Sequence, residues 1–298
     1  MNFISRGGFA DVMLRVTDLS SYQYCARKLY LERVLGLREP YKPALAKGSV
    51  RHETYEAVVL QEELIVSQIS EGFTLADVQS LYRKACRDCL QKKVESYKSR
   101  LAKFGVDGEE LFVKTLPLVI VEFDERAAVV YGFMERHEVY GKELWKRLTP
   151  KIQTEIRVES TSLGIRGIVD QIEVYEQGYV PVELKTGKMP KEGVWPGHEI
   201  QIATYALLLQ EKFQTTIKEG FVKYLDTNER RHLAFNPFTH DEVRALITTV
   251  TSLLDSWEVP DFVENRNKCS GCGLKQECYN PLKIQALLTE KRPSTTQE

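Results

Sequence analysis

Residues 165–188 read IRGIVDQIEVYEQGYVPVELKTGK. Two runs rich in β-branched and aromatic residues flank Gln177-Gly178, and the pattern predicts a β-hairpin. With Gln177 and Gly178 as the loop, Glu176 pairs with Tyr179 and Asp170 lies opposite Lys185. Glu183 then sits diagonally across from Asp170 on the same face, and Lys185 shares that face because side chains alternate along a strand. Diagonal neighbours are roughly 7–8 Å apart at Cα, closer at their tips, a gap that one divalent cation can bridge. A four-residue loop keeps the three together and a three-residue loop turns them apart, so the geometry rests on turn parity.

Carboxylates on one strand face suit Mg²⁺ or Mn²⁺, which favour oxygen ligands. A cation held there can polarise a phosphoryl oxygen and acidify a water, and a neighbouring lysine can stabilise developing charge. The pattern therefore points to phosphodiester hydrolysis, with Asp170, Glu183 and Lys185 as its centre. An isolated Glu-x-Lys is an ordinary surface strand. The Gly167-x-x-Asp170 run opposite lifts this one above that reading.

Outward from the hairpin, the chain divides by pattern into five stretches of an α/β fold. Residues 17–62 read as two helices, Asp18 to Leu35 and Ala44 to Gln61, around a Pro40/Pro43 loop. Residues 63–150 look mainly helical, then carry strand-like runs at Leu116–Glu122 and Ala127–Phe133, and read as an insertion. Residues 151–257 alternate β-rich and helical patterns and form the core. Residues 258–284 are a cysteine-rich, loop-rich segment, and 285–298 read as a tail.

The 298 residues are 43% hydrophobic and 28% charged, as in a soluble globular protein. Leu116 to Val121 is the best candidate apolar run, and Glu122, Asp124 and Glu125 end it far short of a membrane span. The opening MNFISRGGFADVMLRV lacks the apolar core of a secretion signal, so the expected location is the cytoplasm. The 41 Lys and Arg residues balance 42 Asp and Glu, and net charge does not single out a nucleic-acid partner. Eight basic residues lie between Tyr82 and Lys103 on a helical pattern, either a phosphate-binding face or a solvated one.

The six cysteines are Cys25, Cys86, Cys89, Cys269, Cys272 and Cys278. In a cytosolic chain, clustered thiols point to metal ligation more than to disulfides. Cys269, Cys272 and Cys278 need a fourth partner, and Cys25 is the candidate. Spacing leaves Zn²⁺ and a four-iron cluster open. Cys86 and Cys89 lie mid-helix beside apolar positions and read as core.

Taken in order, several motifs resemble the PD-(D/E)xK nucleases, within them the RecB-like group. They are Gly48-Ser49-Val50-Arg51-His52, Gly167-Ile168-Val169-Asp170, Glu183-Leu184-Lys185-Thr186-Gly187 and Gln201-Ile202-Ala203-Thr204-Tyr205. The resemblance implies a restriction-endonuclease-like core in which His52, Asp170, Glu183 and the Leu184 backbone carbonyl bind the metal, with Lys185 catalytic. It implies that Gln201 and Tyr205, four apart on one helix face, contact nucleic acid or steady the lysine. On its own, His52 reads as a packed or capping helical histidine. Glu155 is a further acid near the site, and Lys188, Lys191 and Trp195 form either a phosphate clamp or a plain connecting loop.

One early and three late cysteines are also the layout of RecB-like nucleases with an iron–sulfur cluster, and the CRISPR-associated protein four family is the most similar. That family commonly has proline after the early cysteine, where this chain has Ala26. The resemblance implies a 4Fe-4S cluster in a cap built from both chain ends. It also implies cleavage of single-stranded DNA or overhangs, and prespacer processing for CRISPR adaptation beside the integrase complex. The alternatives are a general DNA repair or recombination nuclease and a non-cleaving iron–sulfur DNA-binding subunit. The intact His/Asp/Glu/Lys set argues against the last.

Overall fold

The structure, a computed structural model, describes residues 13–292. The N-terminal stretch weighed for a leader, up to residue 12, and residues 293–298 of the expected tail lie outside the described residues. In chain order the elements begin with β1 (Leu14–Arg15), α1 (Val16–Tyr24), α2 (Ala26–Arg33), α3 (Pro43–Val59) and α4 (Glu62–Val66). A helical stretch follows, α5 (Leu75–Ala102), α6 (Gly108–His137) and α7 (Gly141–Arg147). The core strands β2 (Lys151–Ser160), β3 (Ile165–Tyr175) and β4 (Gly178–Lys185) lead to α8 (Pro196–Phe213), β5 (Glu219–Tyr224), β6 (Glu229–Ala234) and α9 (Pro237–Asp255). The chain closes with α10 (Asn267–Ser270), α11 (Lys275–Cys278) and α12 (Pro281–Lys291).

One mixed sheet runs β1-β3-β4-β5-β6, with β2 also paired to β3. Ile165 pairs with Leu14 on one side and Ser160 on the other, while Gln171–Tyr175 pair with β2 and β4. Strands β1 and β4 therefore share one edge of β3. Among the described residues, 167–170 have no strand partner on that edge. Asp170 thus lies at a gap in the sheet.

Both faces of the sheet are covered. On one side α1, α2, α8 and α9 bury Leu19, Tyr30, Ile202, Leu208 and Val243 against Ile165, Val169 and Val222. Helix α8 is central to this layer: it starts on Pro196 at its first turn, ends on a left-handed Gln214, and is buried without interruption from Gln201 to Leu209. On the other side Val50, Tyr82 and Phe123 from α3, α5 and α6 pack with Val182 and Leu184. Each fully buried side chain of this kind contributes roughly 1.5–3 kcal/mol. The helical stretch is therefore fixed to the same strand that carries Glu183 and Lys185. Gly167 sets the spacing of the first layer, since a Cβ there would lie 2.7 Å from Tyr205 Cε1 and 2.8 Å from Val16 Cγ2.

Several expectations are corrected. The strand-like runs at Leu116–Glu122 and Ala127–Phe133 both belong to α6, whose buried residues Leu111, Thr115, Val119, Glu122, Arg126, Val130 and Phe133 recur at three and four. Helical period decided over β-branched content. The single helix expected from Asp18 to Leu35 breaks at Cys25, an extended residue whose thiol accepts the Lys28 N–H at 3.4 Å. The hairpin loop is Glu176-Gln177, with Tyr175 paired to Gly178 and Gln171 to Val182. This register seats Val174 beside Tyr179, whose ring stacks on Phe213 at 4.0 Å. The same register carried on places Asp170 opposite Glu183, not Lys185. The shift is by two, so parity and the shared face are kept. Residues 285–291, expected as tail, lie in α12, where Ile284 anchors the helix.

Candidate active site

Three adjacent strands each bring one carboxylate to the same height: Glu155 on β2, Asp170 on β3 and Glu183 on β4. The β2–β3 ladder runs Thr154↔Gln171, then Ile156↔Val169, so the Glu155–Asp170 rung alone is missing. Glu155 has φ +56°, a left-handed conformation that costs a non-glycine residue free energy. The burial pattern of β3 also steps by one there. Ile165 and Val169 precede Asp170 in the α8-side core, and Ile172 follows it. The backbone turns at Asp170, which frees its carboxylate from the regular pleat. One Asp170 oxygen accepts the Leu184 N–H at 2.8 Å, which closes the gap between β3 and β4.

His52 reaches the site from α3, with Nε2 3.2 Å from Asp170 Oδ1. Ligand atoms of His52, Glu155 and Asp170 lie within 4.8 Å of one another. This trio takes in Glu155, expected from the sequence only as a further acid near the site. Burial lowers the His52 pKa, but the hydrogen bond and charge of Asp170, with Glu155 and Glu183 beyond, raise it to about 9. Burial and the Asp170 charge push Glu155 upward. The same two causes raise the fully buried Glu183 against the pull of Lys185. Like charges crowded in a dry site favour a bound cation.

Glu183, 2% exposed, keeps Oε2 buried without a partner. Its Oε1 lies 2.7 Å from Lys185 Nζ and accepts from Gln201 Nε2 at 2.6 Å. The other end of the Gln201 amide accepts from Lys185 Nζ at 2.9 Å. One amide thus fixes the carboxylate and the ammonium together. Gln201 and Tyr205 are buried at 4% and 2%, with Gln201 Nε2 3.4 Å from the Tyr205 hydroxyl. Gln201 thus contacts Glu183 and Lys185 of β4, and Tyr205 reaches them only through Gln201. Burial lowers the Lys185 pKa, but Glu183 and Asp170 outweigh it, so the ammonium stays charged.

Arg51 lies within the histidine motif without being singled out there, and Asp226 lies in no motif. Arg51 is buried and pairs with Glu122 of α6 at 2.9 Å and Asp226 at 2.5 Å, and it also donates to the Leu225 carbonyl. Asp226 in turn accepts the Gly187 N–H at 2.7 Å. The residue before His52 therefore ties α3, α6 and the turn after Lys185 into one cluster. Trp195 donates to the Lys188 carbonyl at 2.9 Å, which closes the 188–195 loop on itself. On α5, Arg83 and Lys93 are paired with Asp124 and Glu53, so part of that basic face is neutralised internally.

A family model for the PD-(D/E)XK nuclease superfamily matches residues 14–279. The chain belongs to the PD-(D/E)XK nuclease superfamily. It is similar to a CRISPR-associated exonuclease Cas4/endonuclease Cas1 fusion of Leptospira interrogans, 27% identical over 177 residues, covering 52% of this chain and 32% of that one. It is also similar to the CRISPR-associated exonuclease Cas4 of Francisella tularensis subsp. novicida, 31% identical over 128 residues, covering 42% of this chain and 59% of that one. A DNA replication ATP-dependent helicase/nuclease, JHS1 of Arabidopsis thaliana, is 21% identical over 286 residues, covering 88% of this chain and 20% of that one. The alignments thus span less than two thirds of each relative's length. No helix among the described residues of this PD-(D/E)XK chain is long and apolar enough to cross a membrane.

Away from the carboxylates, this nuclease domain gathers Cys25, Cys269, Cys272 and Cys278 around one small cavity, lined also by Leu31, Phe262 and Leu274. Arg27 Nε donates to Cys278 Sγ at 3.2 Å. Tyr24 donates to the Lys268 carbonyl at 2.9 Å, and Glu39 accepts the Gly273 N–H at 2.6 Å. Cys86 and Cys89 lie elsewhere, buried in the α5–α6 core.

Proposed function

We propose that the protein is a divalent-metal-dependent DNA nuclease that cuts single-stranded DNA or overhangs and processes prespacers for CRISPR adaptation. The observation that carries this is the row Glu155, Asp170, Glu183 on three neighbouring strands, with His52 and Lys185 closing on it. The D and the (D/E)XK of the superfamily's name correspond here to Asp170 and Glu183-Leu184-Lys185.

The donor set fits a hard cation. It offers carboxylate oxygens and one imidazole, and Glu183 holds a buried oxygen without a partner. His52, Glu155, Asp170 and Glu183, with the Leu184 carbonyl, would hold Mn²⁺ or Mg²⁺. When bound, the ion would polarise the scissile phosphate and acidify a water. His52 must lose its proton to bind, so the ion competes with protons for that nitrogen. Lys185, held by Glu183 and Gln201, places a permanent positive charge where the phosphate's negative charge grows. The Arg51 cluster positions His52 and the 186–187 turn without touching substrate.

The four cysteines around the second cavity are assigned to a 4Fe-4S cluster. Four thiolates lining one cavity could hold either Zn²⁺ or a four-iron cubane, and the order of one early and three late cysteines supports the cubane. The cluster would join α2 to the 258–284 segment as a cap from both chain ends. The Leptospira relative joins an exonuclease and a Cas1 endonuclease in one chain, which supports an integrase partner.

A repair or replication nuclease is the second reading, favoured by the 88% coverage of this chain in the match to JHS1. The two are separated by incubating the anaerobically purified protein with end-labelled single strands, duplexes and overhang substrates, with Mn²⁺ or EDTA, with and without the cognate integrase. Shortening of overhangs that depends on Mn²⁺, and a stable complex with the integrase, are expected. Brisk degradation of unrelated DNA with no integrase complex would favour repair.

A further inference from the structure

The cleft that holds the carboxylates does not end at Asp170. Its volume is about 1130 Å³, and it runs on past Arg157, Arg166, Ile168 and Lys212. In this part of β3, Ile165 and Val169 are buried against the α1/α8 layer, and Gly167 abuts Tyr205 and Val16. Arg166 and Ile168 alternate with them and therefore stand on the open side. Ile168 is 43% exposed, and its register partner on β2 is Arg157. This is the stretch of β3 whose edge lies open between β1 and β4.

Exposed arginines on a sheet are commonly no more than solvated charges. Three features set these apart. Among the described residues neither Arg157 nor Arg166 forms an ion pair, although Arg166 is the register partner of Glu159. They neighbour a half-exposed apolar side chain, Ile168. They also line the same cleft as Asp170, Arg166 about 13 Å along β3 at the usual strand rise over four residues and Arg157 about half as far. Lys212, from the end of α8, adds a third cation and donates to the Arg157 carbonyl at 3.0 Å.

We propose that this strip is the track on which single-stranded DNA lies as it enters or leaves the metal centre. Arg157 and Arg166 each hold a backbone phosphate, and Ile168 takes the face of a base or sugar between them. A duplex keeps its base faces stacked away, whereas a single strand can turn one onto Ile168. The inference deepens the nuclease reading of the site and rests on it.

The test compares strand binding in a Glu183→Gln parent, in which cleavage is blocked, with the same parent carrying Arg157→Glu and Arg166→Glu. Anisotropy of a labelled twenty-nucleotide strand should report binding at least ten-fold weaker. The slope of log affinity against log salt should flatten by about 1.4, since each single-strand phosphate contact contributes about 0.7. Ile168→Ser should weaken binding with the slope unchanged. Lys146→Glu with Lys218→Glu makes the same charge change in the cleft at the hairpin end of the sheet, and should leave binding within about two-fold. Equal weakening by both pairs would reduce the effect to general charge and overturn the track, as would unchanged binding in the Arg157/Arg166 variant. The nuclease reading fails separately. If the otherwise wild-type chain binds through the strip but cleaves nothing with Mn²⁺, the track stands and the proposed activity falls.

Discussion

Glu155 stands directly opposite Asp170 across β2 and β3, at the one rung that ladder lacks, with its own backbone at φ +56°. The left-handed residue and the missing rung are two aspects of one distortion. Opposite residues of a ladder share a face, and here the pair is brought within reach of His52. A conformation that costs about 1–3 kcal/mol persists where the surrounding structure imposes it, here between two well-paired halves of β2.

Glu155→Gly should therefore separate stability from function. Glycine accepts φ +56° freely and removes the repulsion between Glu155 and Asp170. In EDTA the variant should be about 1 kcal/mol more stable in urea titrations. Its affinity for Mn²⁺, followed by calorimetry, should fall at least ten-fold. Lower stability together with unchanged Mn²⁺ affinity would remove Glu155 from the site.

Arg51→Met should destabilise by about 3–5 kcal/mol, the usual effect of leaving a buried charge partner alone. It should also weaken Mn²⁺ binding, because His52 is the next residue on α3. Burial raises the Glu122 carboxyl to about 7 against the pull of Lys223 and Arg51. Its folded pKa is above the unfolded 4.5, so the fold loses stability as pH rises from 4.5 to 7. Without Arg51 that loss should extend to higher pH. Adding Glu122→Leu should restore part of the stability but not the metal affinity, a split measurable by urea denaturation and calorimetry.

The shared face of Asp170, Glu183 and Lys185 was legible in the sequence because strand parity survives a shift of two residues. The loop was misplaced by one position, yet Asp170, Glu183 and Lys185 still met. What escaped was set by distance or by backbone shape. Arg51 meets Glu122 and Asp226 from remote parts of the chain, and no local pattern announces such pairs. The left-handed Glu155 reflects the twist of the assembled sheet. Val119, Ile120, Val121, Val129 and Val130 imitated a strand, while the three-and-four spacing of Leu111, Thr115, Val119, Glu122 and Arg126 fixed the helix.

Glu39 makes the attachment of the cysteine segment sensitive to acid. Burial raises its pKa, but hydrogen bonds from Lys28, Lys42 and the Gly273 N–H outweigh this and bring it to about 2. A depressed folded pKa gives stability that is present above the unfolded 4.5 and lost as pH falls toward 2. In protein stripped of iron, pepsin should cut the 258–284 segment increasingly over that window. Glu39→Gln should be cut readily at every pH in it. Equal resistance of both proteins would show that Glu39 does not hold the segment.

The cysteine assignment makes a colour prediction. Anaerobic protein should be brown, with about four irons per chain. Cys25→Ser or Cys272→Ser should bleach it and lower the melting temperature, and Cys86→Ser should leave the iron content unchanged. Stoichiometric zinc without iron, in cells supplied with iron, would overturn the cluster and leave the carboxylate site standing.

The most direct measurement is single-turnover cleavage of an end-labelled single strand at saturating Mn²⁺ by the wild-type chain and by Asp170→Asn. Asp170 is the residue that Glu155, Glu183, His52 and the Leu184 N–H all surround, and asparagine keeps its shape and its acceptor for that N–H. The expected result is a rate lowered by about a hundred- to a thousand-fold, of the order seen when one preorganised electrostatic group is removed. Circular dichroism and iron content should not change. Wild-type-like cleavage by Asp170→Asn would contradict the assignment of the site.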